Sequence, residues 1–182
     1  MLTVVYGGAG SGKSEYAEEI LKNFSGEKYY IATMKIYSSE DEKRIKRHRK
    51  LRAGKGFITI EQSCDMDLVC QKIPAREEEK PKCALLECMS NLVANEMFKE
   101  DRIYSGEETA TKIIRDLKKI IKEFNPDIVI GCGGYVMAPV IYAAKKCGCK
   151  TLIHEQNSIL GLSNKMMLKY TDTLCTSFKS KK

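Results

Sequence analysis

Apolar and β-branched residues along this chain gather in short segments, at 2–6, 28–33, 57–61, 83–87, 127–131, 149–154 and 173–177, and 83–87 opens with four successive apolar positions. A run that is apolar at successive positions, rather than alternating, is the signature of a strand covered on both faces. Between the runs, apolar residues recur at helical spacing. A first helix follows Lys13 and stops at Ser25-Gly26; others are predicted over 39–52, 65–73, 90–98, 106–124, 137–146 and 160–170. The longest places Ala110, Ile113, Ile114, Leu117, Ile120 and Ile121 on one face and ends at Asn125-Pro126. Segment 74–81, with prolines at both ends and Arg-Glu-Glu-Glu-Lys inside, reads as a charged surface loop. Regular β/α alternation with short connections predicts a three-layer, doubly wound α/β fold. One mainly parallel sheet of about six or seven strands would form a single domain.

Helix 39–52 departs from the pattern. Ser38 and an acidic first turn open it and Arg and Lys close it, the charge order a helix dipole favours. Ile45 and Leu51 are almost its only apolar residues. A helix so polar gains little from a core, so it is expected to lie in solvent, face a charged ligand, or meet another subunit.

The first strand breaks into Gly7-Gly8-Ala9-Gly10-Ser11-Gly12-Lys13-Ser14 and then into a helix. This fits G-x-x-x-x-G-K-[ST] in its strand-to-helix context. Glycines let successive backbone N–H groups curl round a phosphate, and the helix points its positive end at the same anion. Lys13 supplies a point charge at the β- and γ-phosphates, and the Ser14 hydroxyl a magnesium ligand. Strand 83–87 delivers Glu87 at its carboxyl end, where ligands of open α/β sheets gather, so Glu87 is the expected acidic partner that holds Mg2+ directly or through water. A strand-end glutamate that merely caps the next helix is the plainer alternative. GTP or ATP with Mg2+ is the expected ligand. A second glycine loop, Gly131-Cys-Gly-Gly-Tyr135, lacks the Gly-Lys-Ser ending and is weak evidence for phosphate binding on its own.

Composition narrows the setting. The formal charge of +7 permits a polyanionic partner, yet the basic residues concentrate at 43–55 and 179–182 without the interleaved aromatics on which single strands stack, so no nucleic acid is expected. There is no basic-then-apolar leader and no apolar stretch of membrane-spanning length, so a cytoplasmic location is expected. Eight cysteines sit mostly in apolar runs, where reduced thiols pack as small hydrophobes. Cys147-Gly-Cys149 is spaced too closely for an ordinary zinc pair and lacks a second pair.

Two family resemblances follow. The glycine loop with Ser14-Glu-Tyr-Ala-Glu18, Tyr30-Ile-Ala-Thr33, Arg44-Ile-Lys-Arg-His-Arg49 with Arg52, and Leu85-Leu-Glu-Cys88 with Asn91 and Asn95 resemble the bifunctional adenosylcobinamide kinase / adenosylcobinamide-phosphate guanylyltransferase of cobalamin synthesis over about 1–122. That resemblance implies phosphorylation of adenosylcobinamide and then transfer of GMP through a histidine, here His48, with Arg47, Arg49 and Arg52 balancing the triphosphate. Without the family block, a lone histidine on a polar helix reads as surface decoration. The helix at 39–53 would be the place for a homo-oligomer contact.

Residues 125–178 resemble something else. Asn125-Pro-Asp-Ile-Val-Ile-Gly-Cys-Gly-Gly-Tyr135, His154-Glu-Gln-Asn157, Gly161 and Asn164 are similar to the acceptor-side domain of the glycosyltransferase that adds N-acetylglucosamine to lipid I in peptidoglycan synthesis. In that family these loops serve the lipid-linked acceptor, which makes His154 and Asn157 candidate binding residues. Glycosyl transfer itself is not expected, because the sugar nucleotide depends on a domain of that family that finds no counterpart here. The cobinamide family's own V-T-N-E strand end and closing basic segment are likewise missing. The joint expectation is a recombined, engineered chimera with a junction near 122–126, P-loop NTPase-like before it and Rossmann-like after it. Nucleotide binding should survive such an exchange better than two-step turnover. The competing expectations are a natural divergent family member, a silent scaffold, and an acceptor-binding glycosyltransferase fragment.

Overall fold

The structure is a computed structural model that describes residues 2–4, 18–19, 21, 23–74, 81–131, 134–155 and 157–178. The phosphate-loop residues Gly7 to Ser14 therefore lie outside the described residues, as does Gln156.

Strands β1 (Leu2–Val4), β2 (Glu27–Ala32), β3 (Phe57–Glu61), β4 (Lys82–Glu87), β5 (Ile128–Gly131), β6 (Lys150–Glu155) and β7 (Thr173–Thr176) lie within a residue or two of the apolar runs. They form one sheet in the order β3-β2-β4-β1-β5-β6-β7, and every neighbouring pair is parallel. β1 occupies the middle: Leu2 is in register with Ala84 on one side and Val129 on the other. The chain winds away from β1 in both directions, which makes its carboxyl end the switch point of the sheet.

Five helices join the strands among the described residues: α1 (Ser39–Arg52), α2 (Met89–Met97), α3 (Gly106–Phe124), α4 (Ala138–Lys146) and α5 (Leu162–Met167). Side chains alternate between faces along a strand, so β2 and β4 feed two cores. Tyr29, Ile31, Ala84 and Leu86 join Val129, Ile153 and the helical residues Leu92, Ile113, Leu117, Ile121, Val140 and Ile141 in the larger one. Tyr30, Cys83 and Leu85 meet Leu21 in a smaller cluster, with Phe24, Ala32 and Phe57 packed against it. Gly131 ends β5 against α4; a Cβ there would stand 2.7 Å from Met137 Sδ and 3.1 Å from Ile141 Cδ1, so a larger residue would have to push these two side chains aside.

Two predicted helices are shorter or tighter than the periodicity suggests. Segment 65–73 is a 3₁₀ helix at Met66–Gln71, begun by Asp65 at φ 51. Segment 160–170 divides into α5 and a 3₁₀ turn at Leu168–Tyr170, and a 3₁₀ turn at Tyr135–Met137 precedes α4. Pieces this short cannot sustain a ladder of i→i−4 bonds, so i→i−3 bonding competes. On α3, Thr109 is buried and Ala110 is exposed, one position out of the predicted stripe. The Thr109 hydroxyl donates to Ser105 O at 2.8 Å, which satisfies it inside the fold. The seven described cysteines are free, but only Cys83 is buried and Cys175 is exposed, so packing as a small hydrophobe describes Cys83 alone in full.

An ionic cluster holds α2 to α3. Lys112 Nζ lies 2.7 Å from Glu96 Oε1, 2.6 Å from Asp116 Oδ2 and 2.9 Å from Asp65 Oδ1. Lys99 bridges Asp65 at 2.9 Å and Glu96 at 3.2 Å. Glu96 and Asp116 are each only 2% exposed, and the charges are tolerated because each carboxylate has a cation beside it.

Candidate nucleotide site

A cavity of about 60 Å³ that opens to solvent lies at the carboxyl ends of β2 and β4. Its position follows from local rules. Ser38 and Asp41 form a capping box that starts α1: the Asp41 N–H donates to Ser38 Oγ, and Asp41 Oδ2 accepts from the Ser38 N–H at 3.0 Å. The Ser38 hydroxyl and then the Tyr37 N–H hold the Asp41 carboxyl below its usual pKa. With the start fixed, Ile45, His48 and Arg52 fall at i, i+3 and i+7 and so share one face. That face lines the cavity. Arg47 and Arg49 point elsewhere: Arg47 is exposed, and Arg49 pairs with Glu61, itself at the cavity wall. The expected arginine triplet thus contributes one member, Arg52, directly.

Opposite α1, Glu87 ends β4, and Cys88 and Asn91 continue the wall. Arg52 is 7% exposed, with its guanidinium 3.8 Å from the centre of the Tyr30 ring. The Tyr30 hydroxyl donates to Glu87 Oε2. Burial, and then the negative charge of Glu87, push the Tyr30 phenol well above its usual pKa, so the bond is donated by an intact O–H. Buried Glu18 pairs with Lys55 just past α1.

Three residues that the sequence reading left without a role shape this wall. Thr33 Oγ1 donates to Cys88 O at 2.8 Å and accepts from Cys88 N at 2.7 Å, tying the ends of β2 and β4 together. Asn95, 5% exposed, donates to Thr33 O at 2.8 Å and to Ser63 O at 3.1 Å, and accepts from the Tyr37 hydroxyl at 3.2 Å. With Tyr30, they lie inside the blocks that carry the first resemblance, which was the only sequence signal for them.

His154 and Asn157 stand elsewhere; neither lines this cavity. His154 Nε2 lies 3.0 Å from Ser177 Oγ. Beside it, the 3%-exposed Glu155 organises the loop: Oε1 accepts from the Asn157 backbone and side chain at 2.9 Å, and Oε2 from Gly161 N at 2.8 Å and Asn164 Nδ2 at 2.7 Å. Burial pushes the Glu155 carboxyl up, and these N–H bonds outweigh it and leave the pKa below its usual value.

Among the described residues no three His, Cys, Asp or Glu side chains cluster as an all-protein metal cage. Mg2+ does not need one, since it is commonly held by one or two carboxylates, phosphate oxygens and water. Glu87 at the cavity wall supplies one carboxylate of that set, while the Arg52 guanidinium has no lone pair to offer a metal and suits a phosphate oxygen instead.

Comparison with known proteins identifies the architecture. The sequence pattern of the family described as cobinamide kinase / cobinamide phosphate guanyltransferase matches residues 3–138. The chain belongs to this family. The match passes the 122–126 segment and runs through β5 to the start of α4. A second similarity overlies it. The UDP-N-acetylglucosamine–N-acetylmuramyl-(pentapeptide) pyrophosphoryl-undecaprenol N-acetylglucosamine transferases of Bacillus thuringiensis and Bacillus anthracis are 51% identical over 69 residues, 38% of this chain and 19% of each relative. The Exiguobacterium sibiricum protein of the same description is 43% identical over 79 residues, 43% of this chain and 21% of that protein. The chain thus spans about a fifth of the length of these curated relatives. The crystal structure of Acinetobacter baumannii MurG superposes with a TM-score of 0.53 at 18% identity, covering 98% of this chain and 40% of that one, which is a likeness of fold. Segments similar to two families are therefore joined in one parallel sheet. No helix among the described residues is long and apolar enough to cross a membrane.

Proposed function

We propose that this chain binds the phosphates of GTP or ATP with Mg2+ at the switch point of its sheet. The observation that carries the reading is the cavity, which gathers His48, Arg52 and Glu87 from α1 and β4. Sequence places Gly7, Gly8, Ala9, Gly10, Ser11, Gly12, Lys13 and Ser14 immediately after the central strand β1. In this reading their backbone and Lys13 take the phosphates, Ser14 and Glu87 hold Mg2+, and Arg52 meets the anion from α1. His48 is then the nucleophile for residual guanylylation. Its ring nitrogen forms a bond to the α-phosphorus of GTP, the bond to the bridging oxygen breaks, and pyrophosphate leaves. Adenosylcobinamide phosphate would be the acceptor of the GMP.

The joined similarities support recombination, and the last turn of α3 with its cap at Asn125, inside the stretch that the first family's pattern covers, offers a junction near 122–126 where both parents need the same helix-to-strand step. Such an exchange leaves one folded unit and preserves binding better than full turnover. A catalytically silent scaffold is the competing reading, favoured by the same junction. An outward-facing α1 surface would remain available for a second copy.

The test is thermal. GTP with Mg2+ at a hundred times its Kd should stabilise the protein by about 2.7 kcal/mol, or about 5–11 °C for a chain of this size. Lys13→Ala should abolish the shift. A melting temperature indifferent to GTP and ATP alike would overturn the binding claim. Labelled GTP should mark the protein but not His48→Ala; equal labelling would remove His48 from the mechanism.

A further inference from the structure

Tyr30 stands where the cation and the carboxylate of the cavity meet. The parallel register pairs Tyr30 with Leu85 and Ala32 with Glu87, so Tyr30 and Glu87 share a face of the sheet as diagonal neighbours, within reach of an aromatic side chain. Its hydroxyl spans that diagonal to Glu87 Oε2. Its ring carries Arg52, whose Nε is buried without a hydrogen-bond partner among the described residues. One side chain therefore sets both charged groups: the planar guanidinium lies on the ring, and the carboxylate is held by the phenol. A carboxylate has two oxygens with about four lone-pair sites, and the phenol bond takes up one site on Oε2.

We infer that Tyr30 is the positioning residue of this site, orienting Glu87 toward Mg2+ through its hydroxyl and presenting Arg52 to a phosphoryl group through its ring. The inference rests on the reading of the cavity as a nucleotide and Mg2+ site. An outer partner that fixes a ligating carboxylate is worth tenfold or more in metal affinity. A guanidinium held over an aromatic face keeps N–H donors for the anion and loses little freedom on binding. The unpartnered Nε marks a donor that a phosphate oxygen would satisfy.

Two substitutions separate the functions. Tyr30→Phe keeps the ring under Arg52 and removes the hydroxyl; Tyr30→Leu removes both. Mn2+ titrated into the protein–GTP complex and followed by its electron paramagnetic resonance reports metal affinity, and calorimetry with GTP in EDTA reports metal-free nucleotide affinity. Tyr30→Phe should weaken Mn2+ at least tenfold while metal-free GTP binding stays within about twofold. Tyr30→Leu should also weaken metal-free GTP binding, by several-fold. In a Glu87→Gln background, Tyr30→Phe should have no further effect on Mn2+, a comparison made between proteins that already share the weakened site. Unchanged Mn2+ affinity in Tyr30→Phe, or equal loss with and without metal, overturns the positioning role and leaves the nucleotide reading intact. Absence of Mn2+-dependent GTP binding in the unsubstituted protein overturns both.

Discussion

Replacing Lys112 by Met should be strongly destabilising. The ammonium contacts Glu96, Asp116 and Asp65 at 2.6–2.9 Å, and the Glu96 and Asp116 side chains are 1% and 2% exposed. Methionine fills a similar volume, so little cavity is created. What remains is electrostatic. Glu96 keeps Lys99 at 3.2 Å and the Asp65 N–H at 2.6 Å, but Asp116 is left with Arg115, whose side chain is 72% exposed. Removing one partner from a buried charge cluster costs about 3–5 kcal/mol, and the surviving partners place this case near the lower end, at about 3 kcal/mol. A domain is stable by only about 5–15 kcal/mol. The loss should appear as a lower urea midpoint at unchanged slope, and as a fall in melting temperature of about 6–12 °C. The pH dependence should change too. Burial pushes the Asp65 carboxyl up, but bonds from Lys112 and Lys99 outweigh it and hold the pKa below its usual value. Stability from this group is then fully present above about pH 3.9, the ordinary aspartate value, and lost as pH falls through the lower folded value. The acid limb should therefore be shallower in Lys112→Met. A loss below about 1 kcal/mol at neutral pH, or an unchanged acid limb, would refute the view that this lysine compensates the buried carboxylates.

Other outcomes follow from single contacts. Asn95→Ala removes the donor to Thr33 O and Ser63 O, and two orphaned carbonyls should cost about 2–4 kcal/mol in urea unfolding while also loosening GTP binding at the adjacent wall. Glu155→Gln puts an NH2 group where N–H donors converge, and about 1.5–3 kcal/mol should be lost, with faster amide exchange at Asn157 and Gly161 as the local readout. Lys145, and then the Thr151 N–H and hydroxyl, hold the Asp172 carboxyl down to about 2. An NMR titration should find it there, with its contribution to stability complete above about pH 3.9 and lost as pH falls toward 2; Lys145→Met should return it toward the ordinary carboxylate range.

The sequence by itself determined what depends on near neighbours. Short segments rich in apolar and β-branched residues specify strands, and all seven form, although Thr173–Thr176 at the sheet edge is exposed throughout; the Ser38 cap and the following charges specify α1; Gly7 to Ser14 carry the phosphate-loop pattern whatever surrounds them. Whether a polar helix faced solvent, a subunit or a ligand was not legible, because Ile45, His48 and Arg52 acquire meaning only when β2 and β4 bring Tyr30 and Glu87 opposite them. Placing β4 between β1 and β2 is a long-range pairing, and no local spacing records it. The same holds for Glu155. Its neighbours His154 and Asn157 look like the ligand-facing residues of their loop, yet the carboxylate buried between them holds the loop together, because four N–H groups from three later residues converge on it. Local propensity and spacing set the elements. Register and burial decided which side chains meet, since a side chain's pKa and partners depend on segments far away in the chain.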